Sequence, residues 1–222
     1  MRGDPPRRLI ALPIRFEPES PAMLILRSSP ASPFGRKVKL TLAELSLSDR
    51  VEVAATDTTN PADSLRTQNP LGKIPALILD DGQVLYDSRV IVDYLDHLAG
   101  GGGVIPADPA LRFPALTMQA LADGVMDAAL LQVYEKRWRD EGLRSERWAS
   151  HQADKVARGL AAFEASDLSG PIHIGHIALA CALGYLDLRF GGDWRQTHPA
   201  LVRWLDVFAA ANPAFDKTRP PV

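Results

Sequence analysis

The chain has 222 residues, of which 46% are hydrophobic and 23% charged, and its formal net charge at pH 7 is −2. A chain of this length can bury a full core in one large domain or in two smaller ones. The small net charge excludes the basic surface typical of proteins that bind nucleic acid or anionic membranes. We therefore expect small molecules or proteins as partners, with no nucleic acid and no membrane.

The single cysteine, Cys181, excludes an intramolecular disulfide and favours a reducing compartment, so we expect a cytoplasmic protein. Charged residues interrupt the apolar runs well before the length of a membrane span, so no transmembrane helix is expected. Residues 1–22 carry a short apolar patch that Pro13 and Arg15 break. We interpret them as a flexible extension rather than a secretory signal, with Met23 as an alternative start.

The first structural unit is a strand, a loop and a helix. Residues 23–26 form a short apolar run that predicts a buried strand. Pro33 suits the first position of a helix, and Ser32 suits its N-cap. Apolar residues at helical spacing extend this helix to about Leu47, and its opposite face is polar. The apolar residues are Phe34, Val38, Leu42 and Leu45, and the polar ones are Arg36, Lys37, Lys39 and Glu44.

The next stretch predicts three short strands. Residues 51–54 form the first, and the polar stretch 56–69 is compatible with a short helix. Residues 74–79 and 84–86 form the other two strands, joined by the hairpin signal Asp81-Gly82. The order of the first half is therefore βαβ, an irregular helix, and then two strands that lead into another helix.

Helices account for the remainder of the sequence. Asp87-Ser88 starts an amphipathic helix that a run of glycines at 100–103 ends. A long apolar stripe predicts a helix over about 110–139, and a further helix is expected over 146–164. A nearly all-apolar segment from Ile174 to Leu188 predicts the buried centre of this half. Apolar residues from Leu201 to Phe208 predict the last clear helix, which Asn212-Pro213 stops.

These elements predict an α+β domain over residues 23–102, a linker over 103–109 and an all-helical domain over 110–222. The segments SPFGRKVK (32–39), NPLGKIPAL (69–77) and YDSRVIVDYL (86–95) resemble, in order and spacing, the three glutathione-site signatures of the glutathione transferase superfamily. Segments 122–130 and 177–189 also resemble helical-domain segments of its bacterial members. The resemblance implies a thioredoxin-like domain followed by a helical-bundle domain.

The resemblance also implies a glutathione site. It implies that the Ile74-Pro75 bond is cis and that the Ile74 backbone pairs with the cysteinyl part of glutathione. Asp87 and Ser88 would hold the γ-glutamyl end at a helix N-terminus, although an ordinary capping pair gives the same pattern. Lys73 could donate to a glutathione carboxylate, but exposed lysines before strands are common.

Ser32 is the implied catalytic residue. A glutathione thiol with a pKa of about 8.5 is mostly protonated at neutral pH, so the enzyme must favour the thiolate, which a hydroxyl hydrogen bond and a helix N-terminus both do. In members with an SPF signature the serine has this role. Ser28 and Ser29 lie in the same loop and remain alternatives, and Ser32 could be an N-cap alone. Since the loop has no tyrosine or cysteine, and Cys181 lies in an apolar helix, other thiol-activating chemistries lose support.

The second half should supply the electrophile pocket. Met126, Leu130 and Tyr134 form a stripe that Trp138 could extend, and such a stripe favours an apolar electrophile, although domain core or a dimer contact would give the same pattern. One departure from the family lies at the start of the apolar helix. A Ser/Thr cap followed three residues later by Asp is usual there, whereas this chain has His173 and His176. Two histidines without further ligands are weak evidence for a metal.

The sequence therefore predicts a homodimeric glutathione transferase that conjugates glutathione, its co-substrate, to an apolar electrophile, without a cofactor or metal. Two alternatives remain open at this point. The chain could bind glutathione or another ligand without turnover, or it could be an interaction module with the same fold.

Overall fold

The computed structural model describes residues 23–220, so the extension predicted for residues 1–22 lies outside the described part. The first half contains four strands and three helices in the predicted order. They are β1 (Leu24–Ser28), α1 (Pro33–Glu44), β2 (Val51–Ala55), α2 (Leu65–Gln68), β3 (Ala76–Ile78), β4 (Val84–Leu85) and α3 (Ser88–Leu98).

The four strands form one sheet in the order β2-β1-β3-β4. β1 and β2 are parallel, with Leu26 opposite Val53, and β3 is antiparallel to β1, with Leu77 opposite Leu26. β4 is antiparallel to β3 at the sheet edge. Leu26 and Leu77 are fully buried, so the centre of the sheet lies in the core. This mixed sheet with its helices confirms the predicted thioredoxin-like arrangement.

The second half is helical throughout its described residues. It contains α4 (Pro109–Trp138), α5 (Glu146–Glu164), α6 (Ile174–Phe190), α7 (Pro199–Ala211) and α8 (Pro213–Lys217). The linker predicted at 103–109 lies between the end of α3 and the start of α4. Asn212-Pro213 ends α7 as predicted, but it also opens α8, which the sequence did not predict, because proline suits the first position of a helix.

Helix α6 is the centre of the helical half. From Ile174 to Leu183 every residue is buried, and α6 packs against α4 on one side and α1 on the other. Such a helix is apolar on all sides because no face of it reaches water. The predicted buried centre is therefore confirmed, and the contact of α6 with α1 is one of those that join the two halves.

The face of α1 that the sequence marks as polar is buried at Arg36 and Lys37, which are 4% and 0% exposed. The Arg36 guanidinium lies 4.0 Å from the centroid of the Phe215 ring in α8, and its Nη2 donates to the Phe215 carbonyl oxygen at 2.6 Å. The Lys37 ammonium donates to both carboxylate oxygens of Asp123 in α4, at 2.7 and 3.0 Å. This face therefore contacts the helical half, and each cation has a partner there.

His173 and His176 form the reciprocal cap at the start of α6, in place of the usual Ser/Thr and Asp. His173 Nδ1 accepts from the Gly175 backbone N–H at 3.1 Å, and His176 Nδ1 accepts from the His173 backbone N–H at 3.2 Å. Both bonds require an unprotonated Nδ1. Burial lowers the pKa of His173, and it lowers that of His176, with help from the neighbouring His173, to about 4. The capping of this helix is thus preserved by different chemistry.

Candidate active site

A cavity of about 600 Å³ lies between the two halves of the molecule. One wall comes from the start of α1 and the loop before β3, and the other from α4 and α6. The first wall includes Ser29, Ser32, Phe34, Lys73 and Ile74. The second wall includes Asp127, Leu130, Leu131, Tyr134, Arg137, Tyr185 and Arg189. The cavity therefore joins two of the three sequence-predicted glutathione segments, 32–39 and 69–77, to the helical half.

Ser32 occupies the N-cap of α1, as its sequence position predicts. Its Oγ accepts from the Gly35 backbone N–H at 3.0 Å, and Pro33 follows at the first helical position. A hydroxyl that accepts one hydrogen bond still has its own proton to donate. Since Ser32 lines the cavity and stands at a helix N-terminus, both its O–H and the helix dipole would favour a negative charge there.

The other two serines of this loop differ in position. Ser28 is 1% exposed and is not among the lining residues, because it lies directly beneath Gly35, where a Cβ would collide with the Ser28 Oγ. Ser29 lines the cavity, and its carbonyl oxygen accepts from the Ser32 backbone N–H at 3.2 Å. The structure therefore removes Ser28 from the residues that face the cavity.

The loop before β3 presents backbone atoms to the cavity. The Ile74-Pro75 bond is cis, as the resemblance implied, and Pro75 is buried behind Ile74. The side chain of Asn69, itself 1% exposed, donates to the Lys73 carbonyl oxygen at 2.8 Å and fixes this loop from within. Lys73 and Ile74 both line the cavity, and Pro75 does not.

Asp87 and Ser88 stand at the start of α3, outside the lining of the cavity. Asp87 is the exposed N-cap, and its Oδ1 accepts from the Arg89 backbone N–H at 2.9 Å. Ser88 is 2% exposed. The charge of Asp87 nevertheless acts on Asp127, which lines the cavity. Desolvation and the charges of Asp123 and Asp87 raise the pKa of Asp127, while Lys73 and Arg89 oppose the rise.

Comparison with known proteins identifies the family. Two family models match the chain. The model described as Glutathione S-transferase, N-terminal domain, matches residues 26–103, and the model described as Glutathione S-transferase, C-terminal domain, matches residues 129–207. The uncharacterised GST-like protein YibF of Escherichia coli K12 is 31% identical over 202 residues, which cover 88% of this chain and 98% of that protein. The chain belongs to the glutathione transferase superfamily.

Two solved structures of glutathione transferases with bound glutathione share this fold. A family member from Pseudomonas fluorescens Pf-5 is 46% identical, with a TM-score of 0.84, over 90% of this chain and all of that one. A glutathione S-transferase from Methylobacillus flagellatus KT is 38% identical, with a TM-score of 0.83, over 89% of this chain and all of that one. Glutathione is the co-substrate in this superfamily.

The glutathione transferase cavity contains residues that the sequence did not single out. Arg137 is in the last turn of α4 and Arg189 is in the last turn of α6. The Arg137 guanidinium lies 5.6 Å from the centroid of the Tyr134 ring, and that of Arg189 lies 5.9 Å from the Tyr185 ring. Burial raises the pKa of Tyr185, which the Arg189 and Arg137 charges oppose. A basic residue at a helix end gave no signal of its own, because such residues are common there.

The stripe predicted on α4 lines the cavity only in its middle. Leu130 and Tyr134 face the cavity, whereas Met126 is fully buried in the core and Trp138 is 61% exposed outside the lining. Trp138 does not extend the pocket, although its neighbour Arg137 in the same last turn of α4 does line it. Met126 and Trp138 therefore do not line the cavity of this superfamily member.

Cys181 lies in the core of the glutathione transferase helical half, as expected. It is fully buried, and burial raises the pKa of its thiol to about 12. Within residues 23–220, no group of three or more His, Cys, Asp or Glu side chains is placed to hold a metal ion, and His173 and His176 serve as caps. None of the described helices combines the length and apolar character that crossing a membrane requires.

Proposed function

We propose that this protein is a cytoplasmic enzyme that binds glutathione, stabilises its thiolate and conjugates it to an electrophile with an apolar body. One observation carries the proposal. A single cavity brings the hydroxyl of Ser32, at the start of α1, together with the Lys73-Ile74 segment and with an apolar wall at Leu130 and Leu131. A thiol held at Ser32 would face both the glutathione-holding segment and a space for the second reactant.

In this proposal, Ser32 donates a hydrogen bond to the glutathione sulfur. The Gly35 N–H already donates to the Oγ at 3.0 Å, so the hydroxyl proton remains available for a partner in the cavity. The N-terminus of α1 adds a partial positive charge. Both effects favour the thiolate and lower the thiol pKa, which makes the sulfur a better nucleophile at neutral pH. Placement of the two reactants in one cavity supplies the remaining rate enhancement.

The remaining contacts hold glutathione in place. The Ile74 backbone, in the loop that the Asn69 side chain holds, pairs with the cysteinyl unit, and Lys73 binds a carboxylate. The Asp87 carboxylate and the Ser88 hydroxyl receive the γ-glutamyl end at the N-terminus of α3. Asp87 is exposed and accepts one backbone N–H, so its carboxylate has free acceptor positions for an ammonium group.

We also propose that two copies of the chain associate. Val90 in α3 and Leu111 and Phe113 in α4 are large apolar residues that are 48%, 61% and 65% exposed. A shallow cavity of about 400 Å³ between α3 and α4 lies beside them, lined by Val90, Arg112 and Leu116 among others. Exposed apolar side chains on adjacent helices are typical of a protein interface. Light scattering at a series of concentrations measures the mass directly, and a monomer throughout would contradict the proposal.

Titration of glutathione, followed by calorimetry and by thiolate absorbance over a range of pH, tests the enzymatic proposal. Ser32→Ala should raise the thiol pKa of bound glutathione and reduce conjugation, with a much smaller change in Kd. Ser32→Thr keeps the hydroxyl and the cap, so its thiol pKa and conjugation rate should be close to those of the wild type. Ser29→Ala should leave the thiol pKa unchanged. Asp87→Ala should weaken binding by about 1.5 to 3 kcal/mol, the value of a charge-assisted hydrogen bond.

The same titration separates the alternatives. An unchanged thiol pKa in Ser32→Ala would remove Ser32 from the catalytic role. Binding without a thiolate signal in the wild-type protein would indicate a ligand carrier, and no binding at all would indicate an interaction module. Wild-type affinity in Asp87→Ala would refute the role given to that carboxylate.

A further inference from the structure

The charges of the cavity are divided between two ends. At one end, Asp127 lies within the electrostatic influence of Lys73 and of the start of α3. At the other end, Tyr185 lies within the influence of Arg189, Arg137 and Tyr134. The first end belongs to the proposed glutathione half. After Leu131, the residues of α4 and α6 that line the second end are Tyr134, Arg137, Tyr185 and Arg189. They include two cations and no carboxylate.

Neither arginine at this second end has a carboxylate partner in the part of the chain that the structure describes. Among residues 23–220, no ion pair within 4.0 Å involves Arg137 or Arg189. Arginines close to them in the sequence do have such pairs. Arg139 contacts Glu135 at 2.9 Å, and Arg195 contacts Asp187 at 2.6 Å. Glu135 and Asp187 are therefore paired with arginines that do not line the cavity.

A position near a helix C-terminus explains why each residue is basic, since cations are stabilised there. It does not explain why two such residues from different helices line one cavity and lie over tyrosine rings of the same wall. The other carboxylate on the lining, Asp57, is exposed in the loop after β2. Its Oδ1 accepts from the Thr59 backbone N–H and hydroxyl, at 2.8 and 2.6 Å.

We propose that the electrophile carries a carboxylate, or an anion of similar size, that Arg137 and Arg189 bind while its apolar body lies along Leu130, Leu131 and Tyr134. The guanidinium group presents a planar set of donors that matches a carboxylate, and each tyrosine ring supports its arginine from one side. This inference rests on the proposed function, because it names the second reactant of the same site. The expected class of electrophile is thereby narrowed from any apolar compound to compounds with an apolar body and a negatively charged end.

A matched pair of electrophiles tests the charge requirement. The probes are 4-chloro-3,5-dinitrobenzoate and its methyl ester, which differ by one negative charge. In both, the glutathione sulfur forms a bond to the ring carbon, the carbon–chlorine bond breaks, and chloride leaves with the electron pair. Rates are compared as kcat/KM divided by the uncatalysed rate constant, because the ester is the more reactive compound in solution. We expect this ratio to be about tenfold or more higher for the carboxylate, equivalent to about 1.4 kcal/mol.

Binding of the two products separates recognition from turnover. We expect the S-aryl glutathione conjugate that carries the carboxylate to have a Kd about tenfold lower than that of its methyl ester. Arg137→Gln and Arg189→Gln should each remove most of this preference and leave the Kd of glutathione unchanged. Arg139→Gln is the matched control, since it removes the same charge two residues away, outside the cavity, and it should retain the preference.

Each result decides between the proposals. Glutathione binding with equal affinity for the two conjugates would overturn the anion site alone. Loss of the preference in Arg139→Gln as large as in Arg137→Gln would also overturn it, because the effect would then reflect general surface charge. Failure of the wild-type protein to bind glutathione would overturn the proposed function, and the anion site of the electrophile with it.

Discussion

Replacing Asp123 tests the buried charges that join the two halves of the molecule. Asp123 is 1% exposed and accepts two hydrogen bonds from Lys37, which is fully buried, and one from Arg89 at 2.9 Å. Asp123→Asn keeps the shape but removes the charge, so Lys37 remains buried without a counter-ion. Breaking a buried ion pair from one side costs about 3 to 5 kcal/mol. We expect a loss of stability in that range.

The reciprocal substitution should cost less. Lys37→Met removes the buried cation, and Asp123 keeps the partly exposed Arg89 as its partner. We expect a loss of about 1.5 to 3 kcal/mol, comparable to a hydrogen bond that involves a charged group. The double variant Lys37→Met/Asp123→Leu has no buried charge left to satisfy, so its stability should lie within about 1 kcal/mol of wild type. Asp93→Asn, which breaks an exposed pair with Arg112, is the control and should cost about 1 kcal/mol or less.

Urea unfolding measures these differences, with far-ultraviolet circular dichroism as the signal and one protein concentration throughout. The pH dependence adds an independent check. Burial lowers the pKa of Lys37 below 10.5, and Asp123 opposes this, so Asp123→Asn should lower it further. Between the folded-state pKa and 10.5 the unfolded state binds more protons than the folded state, so stability rises with pH there, and in Asp123→Asn this pH range begins lower. The deficit of Asp123→Asn should therefore shrink as the pH rises towards 10.5. A double variant as unstable as Asp123→Asn, or a deficit independent of pH, would refute the reasoning.

Two further substitutions test the packing of α6. The pKa of His176 is about 4 in the folded protein, below its ordinary 6.5, so its contribution is complete above pH 6.5 and is lost as the pH falls towards 4. Glutamine in His176→Gln can still accept the His173 N–H but does not titrate, so this variant should lose that part of the pH dependence, which amounts to up to about 3 kcal/mol. Urea midpoints of the wild type and the variant, measured between pH 4 and 6.5, test this. Midpoints that change with pH by the same amount in both proteins would contradict it. Gly184→Ala should cost about 1 to 3 kcal/mol, because a Cβ there collides with the anchored Arg36 guanidinium. Gly124→Ala in α4, where a Cβ meets nothing within 4 Å, is its control, and equal midpoints for the two would refute the explanation.

The elements of the fold could be predicted because each has a local cause. Proline at the start of α1, the Asp81-Gly82 turn and the apolar stripe of α6 act within a few residues, and the structure follows all three. The face of α1 was interpreted as polar for the same local reason. Periodicity separates apolar from charged residues, but it does not show whether a charged face contacts water or the charges of another domain.

Sequence motifs predict three residues of the first wall of the cavity, and the stripe on α4 predicts Leu130 and Tyr134 in the second wall but not its two arginines. Ser32, Lys73 and Ile74 come from contiguous motifs, and the structure brings them to one cavity. Arg137 and Arg189 are 52 positions apart and meet only because α4 and α6 pack side by side. No local pattern distinguishes them from arginines that complement a helix dipole.

The bond between Arg36 and the Phe215 carbonyl has a consequence for how the protein is made. Helix α1 belongs to the part of the chain that leaves the ribosome early, whereas α8 is the last described helix to emerge. Until then the Arg36 guanidinium has no acceptor in the core and stays in water, since burying it alone is costly. We therefore expect α1, at whose N-cap Ser32 stands, to reach its final position only after α8 has been synthesised.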